Sequence, residues 1–249
     1  MLKQHIKSIF LFLPFFALSF LSTTCGLEEY YYLPQVPETY IVTELNTQAV
    51  INLPPLTGYY YAQNYKIFYR IYISDFSTSS SETSIFSNIN STLVNDYGNI
   101  WPNTDPTSTS MGTAAGTLFS SRNYYELYIE NNNRGETLDN LLTTSGGNVR
   151  ILFPTAQGDY PLLSVNNGSE YRLLRSEYIF PNSLDDKRYF RNSLEINVSD
   201  FADLVPRTGL SQTFAYVSMY IVASGINPTG FTPIYSKPTH ISVFRLPNN

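Results

Sequence analysis

Few side chains in this sequence could act as a nucleophile or as a general base. The 249 residues include two histidines and one cysteine. A Ser-His-Asp triad needs an imidazole to accept the serine proton, and the candidate is His240, two residues before Ser242. The sequence contains no G-x-S-x-G motif, which such a serine would commonly occupy. We therefore expect His240 to be a solvated side chain beside Ser242, on the polar face of a terminal strand.

Acidic side chains are more numerous, and a pair of them could hydrolyse glycosidic bonds if the carboxyl groups lay about 5 to 10 Å apart. Glu126 and Glu130 would point the same way from one strand, and Asp185 and Asp186 are adjacent. Residues 131–140 (NNNRGETLDN) are rich in oxygen ligands but lack the spacing of an EF-hand loop. We interpret the carboxylates as solvated and this segment as a turn between strands, so we predict no catalytic residue, cofactor or metal site.

The single cysteine, Cys25, follows a segment with the order of an export signal. Lys3 and Lys7 precede an apolar run over residues 9–21, and small polar residues separate that run from Cys25. The run is shorter than the ~20 residues that a membrane-spanning helix needs. We predict that residues 1–24 are a signal peptide; a buried N-terminal helix is the alternative.

The residues before Cys25 resemble a bacterial lipoprotein signal. In that family the cysteine sulfur is joined to diacylglycerol, the signal is cut before it, and the new amino terminus is acylated, for example with palmitate. Leu21 lies four residues before Cys25, whereas the usual spacing is three and Ser22 stands there; the relaxed spacing resembles spirochaete outer-surface lipoproteins. The resemblance implies lipidation of Cys25, a tether over residues 25–39, and attachment to the bacterial cell envelope, at the outer membrane.

The charge balance excludes several classes of partner. Lys+Arg 15 and Asp+Glu 20 give a net charge of −5, and charged residues are 14% of the chain, against roughly 25% in an average soluble domain. Removal of Lys3 and Lys7 with the signal would make the chain more acidic still. We therefore predict no nucleic-acid partner and expect the membrane to be reached through lipid at Cys25.

Tyrosine dominates the aromatic composition, with 21 residues against 16 phenylalanines. Tyr59, Tyr60 and Tyr61 lie in a predicted loop, whereas Tyr124 and Tyr128 lie in a predicted strand. Because tyrosine offers a large contact area and a hydroxyl at low entropic cost, these five residues are a candidate binding surface for a protein or a glycan of unknown identity. The alternative is that their rings fill the core and cover sheet edges.

Three further tyrosines lie in the predicted tether. Tyr30, Tyr31 and Tyr32 come just before Pro34 and Pro37, which break regular structure. These rings could form a membrane-interface belt, or they could pack against the base of the domain. We favour packing against the domain.

Period-two alternation of side chains dominates the sequence from residue 40 onwards. It predicts strands over residues 65–73 and 124–130, each with one buried face. Further candidate strands, rich in β-branched and aromatic residues, lie at 49–53, 149–153, 171–180, 194–198, 214–223 and 241–246. Apolar spacings of three and four instead predict an amphipathic helix over residues 84–98, and residues 102–117 a surface loop. The predicted fold is therefore mainly β, a β-sandwich.

The two ends of this region resemble a fibronectin type III or immunoglobulin-like sandwich. Residues 49–55 (AVINLPP), followed by residues 65–73, resemble the second and third strands of such a module. Residues 216–223 resemble its sixth strand, and the Ser-Lys-Pro sequence at 236–238 resembles the entry to its last strand. Asn52 stands at about the position where the family usually has a core tryptophan.

The resemblance implies a single sandwich domain over residues 40–249, with a large insertion at about residues 76–210. We expect a lipid-anchored envelope protein with a non-catalytic binding or structural role. One alternative is an envelope enzyme that acts on glycans or peptidoglycan through carboxylates. Another is a periplasmic assembly factor, because the signal does not determine which side of the outer membrane is reached.

Overall fold

The computed structural model of the chain describes residues 31–44, 47–74, 124–155, 159–176, 188–190, 204–205 and 214–246. More than half of these residues lie in strands, which confirms a mainly β fold. In chain order the strands are β1 (Ile41–Glu44), β2 (Gln48–Leu53), β3 (Ala62–Ser74), β4 (Tyr125–Glu126), β5 (Tyr128–Asn131), β6 (Arg134–Thr137), β7 (Gly147–Leu152), β8 (Leu162–Val165), β9 (Glu170–Leu174), β10 (Leu204–Val205), β11 (Phe214–Ile226), β12 (Pro233–Tyr235) and β13 (Thr239–Arg245). Short 3-10 turns span Glu38–Tyr40 and Leu138–Asn140.

The strands form two sheets. The first sheet has the antiparallel order β1-β2-β7-β8-β9-β5-β6. The second sheet is built on the long antiparallel pair β3 and β11. Strands β4 and β10 pair with β3, the latter in parallel, while β12 and β13 pair with β11.

One apolar core, formed by buried side chains of both sheets, holds the two sheets together. On β3 the alternate residues from 65 to 71 are fully buried, and those from 66 to 72 are partly exposed. This pattern confirms the alternation predicted for residues 65–72. The Phe153 ring, just after β7, stacks on Phe244 of β13 with centroids 4.4 Å apart, which joins the first sheet to the second.

Most of the predicted strands are present. Those at 49–53, 149–153, 214–223 and 241–246 correspond to β2, β7, β11 and β13, with slightly different ends. The strand predicted over 171–180 is shorter, because β9 ends at Leu174. The predicted strand at 194–198, helix at 84–98 and loop at 102–117 lie outside the described residues. Within the described ranges, no helix is long and apolar enough to cross a membrane.

The prediction of one continuous strand over residues 124–130 is wrong. Strand β4 pairs with β3 in the second sheet, whereas β5 pairs with β6 and β9 in the first. Between β4 and β5 the buried residue Leu127 donates its backbone N–H to the Ile67 carbonyl at 2.8 Å. Leu127 and Ile129 both face the shared core, so the alternation continues through the crossing although the pairing partner changes.

Candidate binding surface

The two glutamates that were expected to face the same way have separate partners. Glu126 on β4 accepts a hydrogen bond from the Lys66 ammonium at 2.7 Å. Glu130 on β5 lies 3.5 Å from the Arg172 guanidinium. The two carboxylates therefore belong to different ion pairs, one on β4 of the second sheet and one on β5 of the first.

Lys66 joins two acidic side chains on the outer face of the second sheet. Its ammonium lies 3.2 Å from Asp139 as well as beside Glu126, and Asp139 also accepts a hydrogen bond from Asn64 at 2.9 Å. Burial raises the pKa of Glu126 more than the Lys66 ion pair lowers it. Burial also opposes the charge of Lys66, but the two carboxylates together raise its pKa. This cluster ties β3 to β4 and to the 3-10 turn at Leu138–Asn140.

His240 differs from its prediction as a solvated side chain. A β-bulge lies between His240 and Ser242, so that these residues pair with Tyr220 and Met219 of β11, respectively. Because neighbouring residues of a strand point to opposite faces, the His240 and Ser242 side chains face different sides of the sheet, although the imidazole forms a hydrogen bond with the Ser242 backbone. Its ring packs on Tyr220 with centroids 4.9 Å apart, and burial lowers its pKa to about 4. Its Nε2 atom is buried and has no hydrogen-bond partner among the described residues.

Residues 131–140, predicted from their composition to be a turn between strands, contain such a turn only at residues 132–133; residues 134–137 are strand β6 and Leu138–Asn140 is a 3-10 turn. Asn132 and Asn133 have φ angles of 50° and 60° and connect β5 to β6, a left-handed backbone that asparagine tolerates well. The Asn131 side chain donates a hydrogen bond to Glu136 at 3.0 Å. In the part of the chain that is described, no group of three or more His, Cys, Asp or Glu side chains is placed to hold a metal ion. Asp185 and Asp186 lie outside this part.

The five tyrosines of the predicted binding surface do not lie together. Tyr124 is only 4% exposed and its hydroxyl lies 3.1 Å from that of Tyr72, so it does not contribute to an exposed surface. Tyr128 is half-buried under the Arg188 guanidinium, 5.5 Å from its ring centroid. Tyr59, Tyr60 and Tyr61 remain, in the loop between β2 and β3.

Residues 59–61 form an aromatic cluster with two residues of the predicted tether. The Tyr61 hydroxyl donates a hydrogen bond to the Tyr32 carbonyl at 2.6 Å, and burial raises the pKa of Tyr61. The ring contacts are edge-to-face, with centroid distances of 5.2 Å for Tyr31 to Tyr61, 6.5 Å for Tyr31 to Tyr60, 6.1 Å for Tyr32 to Tyr59, 6.0 Å for Tyr59 to Tyr61 and 5.2 Å for Tyr60 to Tyr61. Tyr31 is half-buried, as packing against the domain predicts, whereas Tyr32 and Tyr60 are 44% and 76% exposed.

Two exposed apolar side chains that sequence reasoning missed lie near this cluster: Ile226 ends β11, and Phe231 lies in the turn between β11 and β12. Ile226 donates its backbone N–H to the Tyr61 carbonyl at 3.0 Å, so the turn lies beside the tyrosine loop. Ile226 is 37% exposed and Phe231 is 82% exposed. The sequence at residues 226–232, INPTGFT, predicts a turn from its proline and glycine. It does not show that this turn lies next to Tyr61.

We call this end of the domain the aromatic pole, defined by Tyr31, Tyr32, Tyr59, Tyr60, Tyr61, Ile226 and Phe231. Three loops meet there, at 54–61, 141–146 and 227–232: Leu56 donates its backbone N–H to the Thr144 carbonyl at 2.7 Å, and Ile226 bonds to Tyr61 as above. None of these loops contains Asp, Glu, Lys or Arg. The aromatic pole can therefore make apolar, ring-stacking and hydroxyl contacts, but its loops supply no charged side chain to a partner.

Comparisons of the chain with protein-family models, with curated proteins and with solved structures found no match.

Proposed function

We propose that this protein is a lipid-anchored component of the bacterial cell envelope with a non-catalytic binding or structural role. The observation that carries the proposal is the position of Cys25. It follows an export-type segment and lies six residues before Tyr31, whose ring packs against Tyr61 in the aromatic pole. A lipid on Cys25 would hold the folded domain at the membrane through a short tether.

We also propose that the domain is a β-sandwich of the fibronectin type III or immunoglobulin-like type. Such modules place their first, second and fifth strands in one sheet, with the third, sixth and last in the other. Here β1, β2 and β7 are neighbours in the first sheet, and β3, β11 and β13 are neighbours in the second. Strands β8, β9, β5 and β6 extend the first sheet beyond β7 and lie, together with β7, within the range 76–210 that we expected to be an insertion.

The arrangement of the charged groups favours binding over glycan hydrolysis. A glycosidase needs one carboxyl group that gives up a proton and a second that acts as base or nucleophile. Glu126 and Asp139 instead share the Lys66 ammonium, and Glu130 pairs with Arg172. These contacts support a structural role for the three carboxylates, whereas the exposed aromatic pole supports a role as a contact surface.

The lipid anchor can be tested in bacterial cells that export the full chain. We expect the unmodified protein to fractionate with membranes and to incorporate labelled palmitate. Cys25→Ser should abolish both, because it removes the sulfur that carries diacylglycerol. Thr24→Ala is the matched control, since it keeps a small residue before an intact Cys25. Retention of the label by Cys25→Ser would contradict the proposal.

The side of the membrane that the protein faces requires a separate measurement. Proteolysis of intact cells would degrade a protein displayed on the exterior and spare one that faces the periplasm. Degradation favours a surface-exposed binding protein. Protection that is lost only when the outer membrane is permeabilised favours a periplasmic role such as assembly.

A further inference from the structure

We propose that the aromatic pole is a membrane-contact surface that seats the domain on the interface of a zwitterionic phospholipid bilayer. The proposal rests on the lipid anchor proposed above and adds a second contact to it. Its exposed members are Tyr32, Tyr60, Ile226 and Phe231, which lie on three different segments of the chain.

Chain length limits how far the aromatic pole can lie from the bilayer. Six residue steps connect Cys25 to Tyr31, and a fully extended chain of that length spans only about 20 Å. Tyr31 packs against Tyr60 and Tyr61. A lipid on Cys25 would therefore keep this end of the domain close to the headgroups, whatever the path of the intervening residues.

The chemistry of the exposed side chains suits the membrane interface. Tyrosine is enriched at headgroup depth because its ring is apolar and its hydroxyl is polar, and phenylalanine inserts into the headgroup and acyl boundary. The three loops of the aromatic pole contain no charged residue that would have to be desolvated. Since the chain as a whole is acidic, we assign the contact to zwitterionic lipid and not to attraction by anionic lipid.

The turn that carries Phe231 is held in shape by its own hydrogen bonds. Asn227 Oδ1 accepts bonds from the Thr229 N–H at 2.9 Å and the Thr229 hydroxyl at 2.8 Å, and the Asn227 carbonyl accepts one from the Phe231 N–H at 2.8 Å. Phe231 has a φ of 52°, a left-handed conformation that is strained for a bulky side chain. Because Phe231 is exposed, core packing does not offset this backbone strain. A role in holding the ring toward the membrane would explain why the strain is retained.

Membrane contact would also change the role that we predicted for residues 59–61 as a binding surface for a protein or a glycan. If residues 59–61 face lipid, they are not available to a soluble protein or glycan. A ligand of the domain would then bind elsewhere on its surface.

Fluorescence quenching in reconstituted vesicles tests the contact directly. The lipidated protein is inserted into phosphatidylcholine vesicles that contain brominated phosphatidylcholine, with Trp101→Phe as the background so that one tryptophan reports. Phe231→Trp and Tyr60→Trp place the reporter in the aromatic pole. Thr155→Trp is the matched control, because Thr155 is exposed and lies beyond the end of β7 that is farther from the aromatic pole, a strand about 17 Å long.

We expect the bromolipid to quench the tryptophan reporters at positions 231 and 60 by at least about twofold more than the control at position 155. Equal quenching at all three positions, in protein that floats with the vesicles, would overturn the membrane contact while leaving the anchor intact. If both reporters in the aromatic pole are protected from aqueous iodide but are not quenched by bromolipid, a second copy of the chain covers the pole. That result would also overturn the membrane contact. Failure of every variant to float would overturn the proposed anchor, and the contact with it.

Discussion

At the residue scale, the partial burial of His240 has a consequence for stability. The imidazole packs on Tyr220 in the second sheet, and its Nε2 atom is buried without a partner among the described residues. Desolvation disfavours the charged imidazolium, so that the pKa of His240 is lowered from 6.5 to about 4. The unfolded chain therefore binds a proton at this site more tightly than the folded chain does.

We expect the free energy of unfolding to fall as the pH is lowered. The contribution of neutral His240 is fully present above about pH 6.5 and is lost as the pH falls through about 4, which amounts to about 3 kcal/mol for a shift of this size. His240→Phe keeps a ring at the site and removes the titration. The difference in unfolding free energy between wild type and His240→Phe, measured by urea denaturation from pH 8 to pH 4, should therefore change by that amount.

Tyr220→Phe is the control for this measurement, because it keeps His240 buried beneath an aromatic ring. It should retain the pH dependence of the wild type. If His240→Phe loses as much stability as wild type between pH 7 and pH 4, the buried imidazole is not the cause.

The type of a residue did not predict whether its side chain is exposed or buried in this chain. Tyr60 and Tyr124 are the same amino acid in tyrosine-rich segments, yet one is exposed and the other is buried beside Tyr220. His240 was expected to share a face with Ser242, but a single bulged residue changes the face. Both outcomes depend on tertiary neighbours, which period-two alternation does not specify.

At the element scale, the aromatic pole depends on how closely β11 approaches the start of β3. Gly225 lies at a β-bulge where the register between the two strands shifts. A Cβ atom at this position would collide with the Tyr61 carbonyl oxygen and crowd the Ala62 backbone. Only glycine allows this approach, which brings Ile226 and the turn after it beside the tyrosine loop.

Gly225→Ala should therefore lower the free energy of unfolding by about 2 kcal/mol, because backbone atoms and not a flexible side chain must move. Gly58→Ala is the matched control: it lies in the same tyrosine loop, where nothing comes within 4 Å of an added Cβ, and should change stability by less than about 0.5 kcal/mol. Urea denaturation of the two variants measures both effects. Equal effects from the two substitutions would contradict the close approach.

The long strands were predictable and the short ones were not. Strands β3 and β11 are long enough to show several alternations, and β2 and β7 have apolar residues at every second position. Strands β4, β10 and β12 have only two or three residues, too few to show a period. Alternation also indicates which face of a strand is buried but not which strand is its pairing partner. The change of partner at Leu127 could therefore not be predicted from the sequence.

At the scale of the whole molecule, the proposed anchor and the aromatic pole are close in the sequence, with six residue steps between Cys25 and Tyr31. The chain enters through Tyr31 and Tyr32 at the pole, and the low charge of its loops contrasts with the acidic character of the chain as a whole. This difference in charge is consistent with the proposed contact between the aromatic pole and the membrane. The anchor is a proposal from the sequence, whereas the turn with Phe231 is brought beside the tyrosine loop by the pairing of β11 with β3, which the sequence does not show.

The most direct test of the central claim is mass spectrometry of the protein extracted from bacterial membranes. We expect an amino-terminal peptide that begins at Cys25 and carries the added mass of diacylglycerol on sulfur and of a fatty acyl group on nitrogen. A peptide that continues through Cys25 from earlier residues, or one that begins at Cys25 with an unmodified thiol, would contradict the lipid anchor.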